Sequence, residues 1–213
     1  MNYLRNLWDA LDFGSMQSML LRVISVMLCL VLHEICHGLA AYALGDPTAK
    51  MRHRLSLNPL HHIDWLGLAA MLFIGVGWAK PVPVNPNYFK KPKQGMALTA
   101  LAGPGSNFLL AFVLIFAVRF MCDGELTTLS RFFLDTAILS VGLGLFNLIP
   151  VPPLDGSKIL ALFLPDKAYH FLMRYERYGM LVVILLMSVG TVNDMLNRVI
   201  LWVVTLFCRI VGV

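Results

Sequence analysis

The run His33-Glu34-Ile35-Cys36-His37 lies inside an apolar stretch of the chain. Met19–Leu32 before it carries Arg22 as its one charge, and Gly38–Leu44 after it carries none. In a helix, side chains at positions i and i+4 share a face, so both imidazoles would point the same way. Two histidines at this spacing, with a glutamate between them, are typical of a zinc-binding helix whose glutamate acts as a general base. The segment is also long enough to span a membrane, where ionisable groups usually serve function.

The composition indicates a membrane protein. Of the 213 residues, 58% are hydrophobic and 14% are charged, whereas soluble domains contain roughly 25% charged residues. The net charge of +5 is modest, and we interpret the basic residues as topological signals, not as a nucleic-acid interface. We expect an all-α polytopic membrane protein, a helix bundle in which residues 1–213 form a single domain with a core at about 19–177.

Apolar runs separated by polar or proline-rich segments predict the spans. Membrane-spanning helices are expected at about 19–44, 95–121, 131–149 and 178–192. The last apolar segment, 196–213, is either a fifth span or an interfacial helix, and 157–177 is predicted to be a basic connector.

Residues 65–86 predict a re-entrant hairpin or loop. Residues 65–79 are apolar and glycine-rich, but shorter than the about 20 residues that a span needs. The alternating prolines of Lys80-Pro81-Val82-Pro83-Val84-Asn85-Pro86 then exclude a helix. Charge asymmetry favours cytoplasmic loops at 46–64 and 80–94 and an outer loop at 122–130.

Two histidines leave a catalytic zinc site incomplete, because such sites use three protein ligands and a water. Asp155 is the best third ligand. It directly follows an apolar span, the nearby prolines unwind the backbone, and Gly156 permits close approach. A carboxylate at membrane depth is costly without a partner, and a bound cation removes that cost.

Three motifs in this order resemble the site-2 protease family of intramembrane zinc metalloproteases: HExxH, then Gly-Pro-x-x-Asn at 103–107, then Asn-x-x-Pro-x-x-x-Leu-Asp-Gly at 147–156. Residues 54–59, 62–64 and 77–83 are also similar to short bacterial members, and the resemblance covers roughly 19–177. It implies one Zn²⁺ per chain, held by His33, His37 and Asp155, with Glu34 as the catalytic base.

The resemblance further implies that Asn107 and Asn147 line the substrate cleft. Asn147 would then donate a hydrogen bond to the oxyanion or to the substrate backbone. The alternative is a structural hydrogen bond between helices, and we weigh the two roles equally. For Asn107 a structural role is favoured. Gly103 and Gly105 are expected to allow close helix packing.

The expected function is hydrolysis of a peptide bond in or near a transmembrane segment of a membrane-protein substrate, in a bacterial cytoplasmic membrane. Beyond substrate and lipid bilayer, a regulatory partner is left open, and the short loop at 122–130 has no room for an inserted sensor domain. Residues 71–86 would either pair with the extended substrate chain or plug the cavity.

Two other classes of protein remain open. A zinc transporter needs ligands at several depths, whereas these converge on one. A non-catalytic membrane-helix binder would not need Glu34. His61, His62 and Asp64 could hold a second metal, but a packing or orienting role for these residues is favoured.

Overall fold

The computed structural model describes residues 16–62, 64, 80–121 and 127–212. Within these ranges the regular elements are helical. We number the α-helices α1 (Met16–Ala43), α2 (Thr48–Met51), α3 (Pro92–Met121), α4 (Thr128–Asn147), α5 (Asp155–Ala161), α6 (Asp166–Ser188) and α7 (Gly190–Val211), and short 3-10 turns lie at Pro59–His61 and Pro86–Tyr88. The expected all-α fold class is therefore confirmed.

Among the residues that the structure describes, three single helices are long and apolar enough to cross a membrane: α1, α3 and α4. They coincide with the first three predicted spans. At 30 residues, α3 is about 45 Å long at 1.5 Å per residue, which exceeds the roughly 30 Å hydrocarbon core. Its first turns, which include Lys93, can therefore extend beyond the hydrocarbon core.

The C-terminal part differs from the sequence prediction. The connector predicted at 157–177 is largely helical, which the sequence did not predict: it contains most of α5 and the first half of α6. Its mixed polar and apolar composition hid a helix, since a helix need not be apolar all round when one face meets water or lipid headgroups. Residues 178–188 and α7 meet at an 84° bend. Together they are long and apolar enough to form one broken span or a re-entrant pair.

Small residues let α1, α3 and α4 pack closely. The buried centre consists of Ala111 and Ile115 on α3 and Ala137 and Val141 on α4, with the partly buried Phe207 of α7 against it. Hydrogen bonds between helices accompany this packing, as is usual in membranes. The Ser25 and Thr136 hydroxyls lie 2.7 Å apart between α1 and α4, and the Ser140 hydroxyl donates to Asn107 O at 2.8 Å.

The predicted hairpin at 65–86 falls partly outside the described residues, which omit 65–79. Its two flanks nevertheless meet, because Lys80 N–H donates to His62 O at 2.9 Å. Residues 80–85 form neither helix nor strand, as the prolines require. Asn85 then caps the 3-10 turn by accepting from Asn87 N–H. The chain thus returns after residue 79 to the point from which it departed at His62.

Candidate active site

His33 and His37 lie on the buried face of α1, one helical turn apart. Their exposed fractions are 4% and 8%. The rings meet edge to face, with centroids 4.5 Å apart. The two Nε2 atoms are 2.9 Å from each other. Helical spacing alone therefore brings two nitrogen ligands to one point.

Asp155, the first residue of α5, completes the group. Its Oδ2 lies 3.1 Å from His33 Nε2 and 3.0 Å from His37 Nε2. Gly156 makes this placement possible: a Cβ there would lie 2.5 Å from Ile149 O and closer still to Leu148 O. Any side chain at 156 would thus push α5 away from the end of α4, and with it the carboxylate.

Helix α3 fixes the other ring nitrogen of each histidine. His37 Nδ1 lies 2.7 Å from Thr99 O, a carbonyl that can only accept, so Nδ1 carries the proton. His33 Nδ1 lies 3.1 Å from the side-chain amide nitrogen of Asn107. Asn107 is fully buried, and its Oδ1 has no hydrogen-bond partner among the described residues.

This donor set fits a metal ion. With its proton on Nδ1, neutral His37 presents a bare Nε2 to a carboxylate oxygen 3.0 Å away, so two acceptors face each other. His33 Nε2 is equally close, and one cation between the three atoms would bind all of them. Ligand atoms of tetrahedral zinc lie about 3.3–3.6 Å apart, so the observed triangle needs to open by only a few tenths of an ångström.

A cation also lies on the other side of the carboxylate, where Lys158 Nζ is 3.8 Å from Asp155 Oδ1. Among the described residues, His33, His37 and Asp155 form the one group of histidine, cysteine or acidic side chains arranged to hold a metal ion.

Gly103 forms the floor of the site. A Cβ at this position would lie 2.7 Å from His33 Cε1 and closer still to His37 Cε1 and Nε2. The expected close packing at Gly103 is confirmed, and the packing partners are the histidine rings themselves. For Gly105 the same expectation is wrong, since a Cβ there would meet nothing within 4 Å among the described residues.

Glu34 is half-buried on the same helix. Its Oε2 accepts a hydrogen bond from the backbone N–H of Val82 at 2.8 Å. The proline-rich segment that returns from residue 79 thus lies against the glutamate of HExxH.

The two asparagines have different surroundings. Asn107 contacts His33, as described above. Asn147 is half-buried at the end of α4, and its side-chain amide donates to Leu143 O of its own helix at 3.0 Å. No hydrogen bond among the described residues joins Asn147 to the ligand group, so its substrate or oxyanion role stays a prediction.

The described residues do not group His61, His62 and Asp64 as a metal site. His61 is exposed, and the buried His62 ring bonds to Ser56 O at 2.8 Å. His62 also accepts Lys80 N–H through its backbone. In this arrangement His62 holds the ends of the 63–79 excursion together.

Sequence reasoning missed several residues around the site. Thr99 acts through its backbone carbonyl, which leaves no side-chain signature. Asp46, just after α1, is fully buried and its Oδ2 accepts from Asn85 N–H at 2.7 Å. Arg54 belongs to the stretch 54–59 that is similar to short bacterial members, and it binds three backbone carbonyls, a role that the sequence did not predict. The signals in the sequence were an acidic residue in a Gly-Asp-Pro turn and the similarity over 54–59.

Comparison with known sequences gives a consistent result. The sequence model of a family described as "Peptidase family M50" matches residues 123–190. YwhC of Bacillus subtilis (strain 168), named as a zinc metalloprotease, is 39% identical over 171 residues, which cover 77% of this chain and 78% of that protein. Rip2 of Mycolicibacterium smegmatis, also named as a zinc metalloprotease, is 27% identical over 181 residues, covering 83% of this chain and 70% of Rip2.

A third relative matches a shorter region. The zinc metalloprotease RasP of Oceanobacillus iheyensis is 39% identical over 79 residues, 32% of this chain and 17% of RasP. No solved structure matches the chain.

Proposed function

Since the chain belongs to peptidase family M50, the site-2 protease family of intramembrane zinc metalloproteases, we propose that His33, His37 and Asp155 hold its zinc and that Glu34 is its general base. The observation that carries this assignment is the convergence of two Nε2 atoms and one carboxylate oxygen within about 3 Å of one another. The relatives are named as zinc metalloproteases, so the enzyme is a zinc-dependent endopeptidase.

Each ligand has a support that suits it to a metal. The Thr99 carbonyl holds the His37 proton on Nδ1 and leaves Nε2 free to bind zinc. Asn107 does the same for His33 when its amide presents Oδ1 to Nδ1–H, the orientation in which oxygen and nitrogen exchange places. We therefore assign Asn107 to the orientation of His33, and not to substrate binding.

Zinc held by His33, His37 and Asp155 would supply Lewis acidity for the scissile carbonyl and for the attacking water. Glu34 takes the proton from the attacking water and delivers it to the leaving amine, so the peptide bond is replaced by a carboxyl group and a free amine. The Val82 N–H holds one oxygen of Glu34 and leaves the other for proton transfer.

The substrate is a membrane protein whose cleaved segment must be unwound, because an intact helix keeps its backbone bonded internally. Pairing with residues 71–86 remains our proposal for how it is held extended. Within 80–85 the N–H groups of Lys80, Val82 and Asn85 already bond to His62, Glu34 and Asp46, which leaves Val84 with the one remaining N–H. One N–H does not make an edge, so we propose that the pairing edge lies in 71–79, before the proline-rich part.

The chain is a multi-pass membrane protein, and the relatives that match most of its length, YwhC and Rip2, come from bacteria. We place it in a bacterial cytoplasmic membrane with the loops at 46–64 and 80–94 inside. A regulatory partner remains open. The transporter alternative is not favoured, since the described residues offer one metal-ligand group and not a series at different depths.

The test is cleavage of a model single-span substrate by purified protein in lipid vesicles. We expect cleavage by the native chain, loss on chelation, and recovery when zinc is restored. Glu34→Gln should keep zinc and the fold but lose cleavage, because the amide has the same shape and no basic oxygen. Substantial proteolysis by Glu34→Gln, or insensitivity to a chelator that removes the zinc, would rule out the proposal.

A further inference from the structure

We infer that Arg54 is a positioning residue for the general base, acting on Glu34 through the peptide group that joins Pro81 to Val82. This inference rests on the proposed role of Glu34. It adds a residue that lies outside the HExxH, Gly-Pro-x-x-Asn and Leu-Asp-Gly motifs, on the loop after α2.

The peptide group lies between two opposite charges. Arg54 Nη2 donates to Pro81 O at 3.3 Å, and Val82 N–H donates to Glu34 Oε2 at 2.8 Å. The C=O and N–H of one trans peptide lie in one plane and point in opposite directions. Whatever fixes the carbonyl side of this plane therefore also aims the N–H at the carboxylate.

The local sequence makes this N–H singular. Pro81 and Pro83 have no N–H, so Val82 carries the one donor in the Pro-Val-Pro run. The rings also restrict φ on both sides of Val82, and the residue before each proline is driven away from helical backbone. Rotation of the 81–82 plane is then the main freedom left, and Arg54 holds that plane.

Arg54 has further bonds that keep its guanidinium in place. Nη2 also donates to Lys80 O at 2.6 Å, and Nη1 donates to His61 O. One guanidinium therefore spans both ends of the 63–79 excursion, next to the bond between Lys80 N–H and His62 O. A lysine ammonium lacks the planar fork needed to serve these carbonyls together.

The consequence for catalysis is a fixed base. A cation on the carbonyl side polarises the peptide and strengthens the bond from its N–H to the anion on the other side. Glu34 is then held in one rotamer, with one oxygen bonded and the other free to receive the proton of water. Without Arg54 the plane can turn, and Glu34 loses its orientation while the zinc ligands keep theirs.

The first experiment compares Arg54→Ala and Arg54→Lys with the matched control Arg52→Ala. Arg52→Ala removes the same charge two residues away. Arg52 is exposed, and its side chain has no hydrogen bond to a described residue. We expect kcat of Arg54→Ala to fall by about 10–100-fold, the range typical of residues that orient active-site groups. Arg54→Lys should recover part of the rate, and Arg52→Ala should match the native chain. Zinc content should stay at the native level throughout.

The split between kcat and KM separates this role from a structural one. If Arg54 only supports a surface that binds substrate, its loss should raise KM and leave kcat unchanged, which would overturn the inference. Native kcat in Arg54→Ala would also overturn it. If Arg54→Ala fails to fold, Arg54→Lys decides the question by the same criterion.

A second measurement tests the route through the peptide. Replacing Val82 by its α-hydroxy acid changes the 81–82 amide to an ester, which removes this N–H and weakens Pro81 O as an acceptor for Arg54. The ester and Arg54→Ala should each lower kcat. In the protein that carries both changes, kcat should be little lower than in either single variant. Independent, multiplicative losses would show that Arg54 acts by another route. Failure of the proposed function is distinguishable, because Glu34→Gln would then cleave whatever happens at Arg54.

Discussion

Gly103 gives the sharpest steric prediction, and its control lies two residues away. In Gly103→Ala the new Cβ would lie 2.7 Å from His33 Cε1, whereas ordinary contact begins at 3.4 Å. The His33 ring must therefore move by about 0.7 Å, the difference between these distances, and the His37 ring by more. Bond lengths in metal sites vary by only about 0.2 Å, so the ligand triangle cannot absorb the shift.

The cost falls mainly on the metal-bound state. Without metal the rings can turn away from the added methyl, but bound zinc fixes both Nε2 atoms. Overpacking typically costs about 1–3 kcal/mol, which corresponds to about a 5- to 150-fold loss of zinc affinity. Competition with a chromogenic chelator, on protein purified in detergent, measures this affinity directly.

Gly105→Ala adds the same methyl group to the same helix, where no described atom beyond its chain neighbours and the nearby backbone of α3 lies within 4 Å. It should keep native zinc affinity and native cleavage, and both variants should retain their elution volume in size-exclusion chromatography. Native zinc affinity in Gly103→Ala would refute the reasoning, because it would mean that the histidine rings do not rest on α3 when zinc is bound.

Three further predictions follow from the same geometry. Asn107→Ala should weaken zinc binding by about 10–100-fold whereas Asn107→Asp should retain it, since a carboxylate also accepts His33 Nδ1–H; loss in both variants would mean that the amide donates instead. Proline at Ile74, Val76 or Trp78 should impair cleavage while zinc stays bound if 71–79 pairs with substrate, and unchanged or faster cleavage at all three positions would favour a plug. Cysteines placed at Lys50 and Lys91 should resist a membrane-impermeant reagent in intact cells, and labelling from outside would reverse the proposed topology.

The proposed ligand set was accessible from sequence because each of its parts has a local signature. His33 and His37 share a face at helical spacing, and Asp155 is an acidic residue after an apolar span with a glycine behind it. Charged groups are rare at such depth, so a small number of candidates remained. The structure brings all three together.

The residues that orient the ligands were less accessible. The Thr99 carbonyl and the Val82 N–H are backbone groups, present at nearly every position, and only tertiary contact gives them a role. Arg54 looks like any basic loop residue until the return of the chain at Lys80 brings carbonyls to it. Gly103 and Gly105 are alike in sequence, and which one meets the histidines depends on how α3 is rotated against α1.

The sequence prediction missed helical structure where the composition is mixed. Residues 166–177 combine basic, acidic and aromatic side chains, and hydropathy alone predicted a connector there. The structure continues α6 through them. Apolar length identifies segments that can cross a bilayer, but it does not identify helices that extend beyond the apolar layer.

Zinc K-edge X-ray absorption on the native chain and on Asp155→Cys tests the central assignment most directly. Sulfur and nitrogen or oxygen ligands differ in distance, about 2.3 Å against about 2.0–2.2 Å. The account predicts only nitrogen and oxygen ligands in the native chain. In Asp155→Cys it predicts either one sulfur at the longer distance or loss of the metal. Full zinc occupancy in Asp155→Cys with an unchanged nitrogen and oxygen shell, or a sulfur ligand such as Cys36 in the native chain, would contradict it.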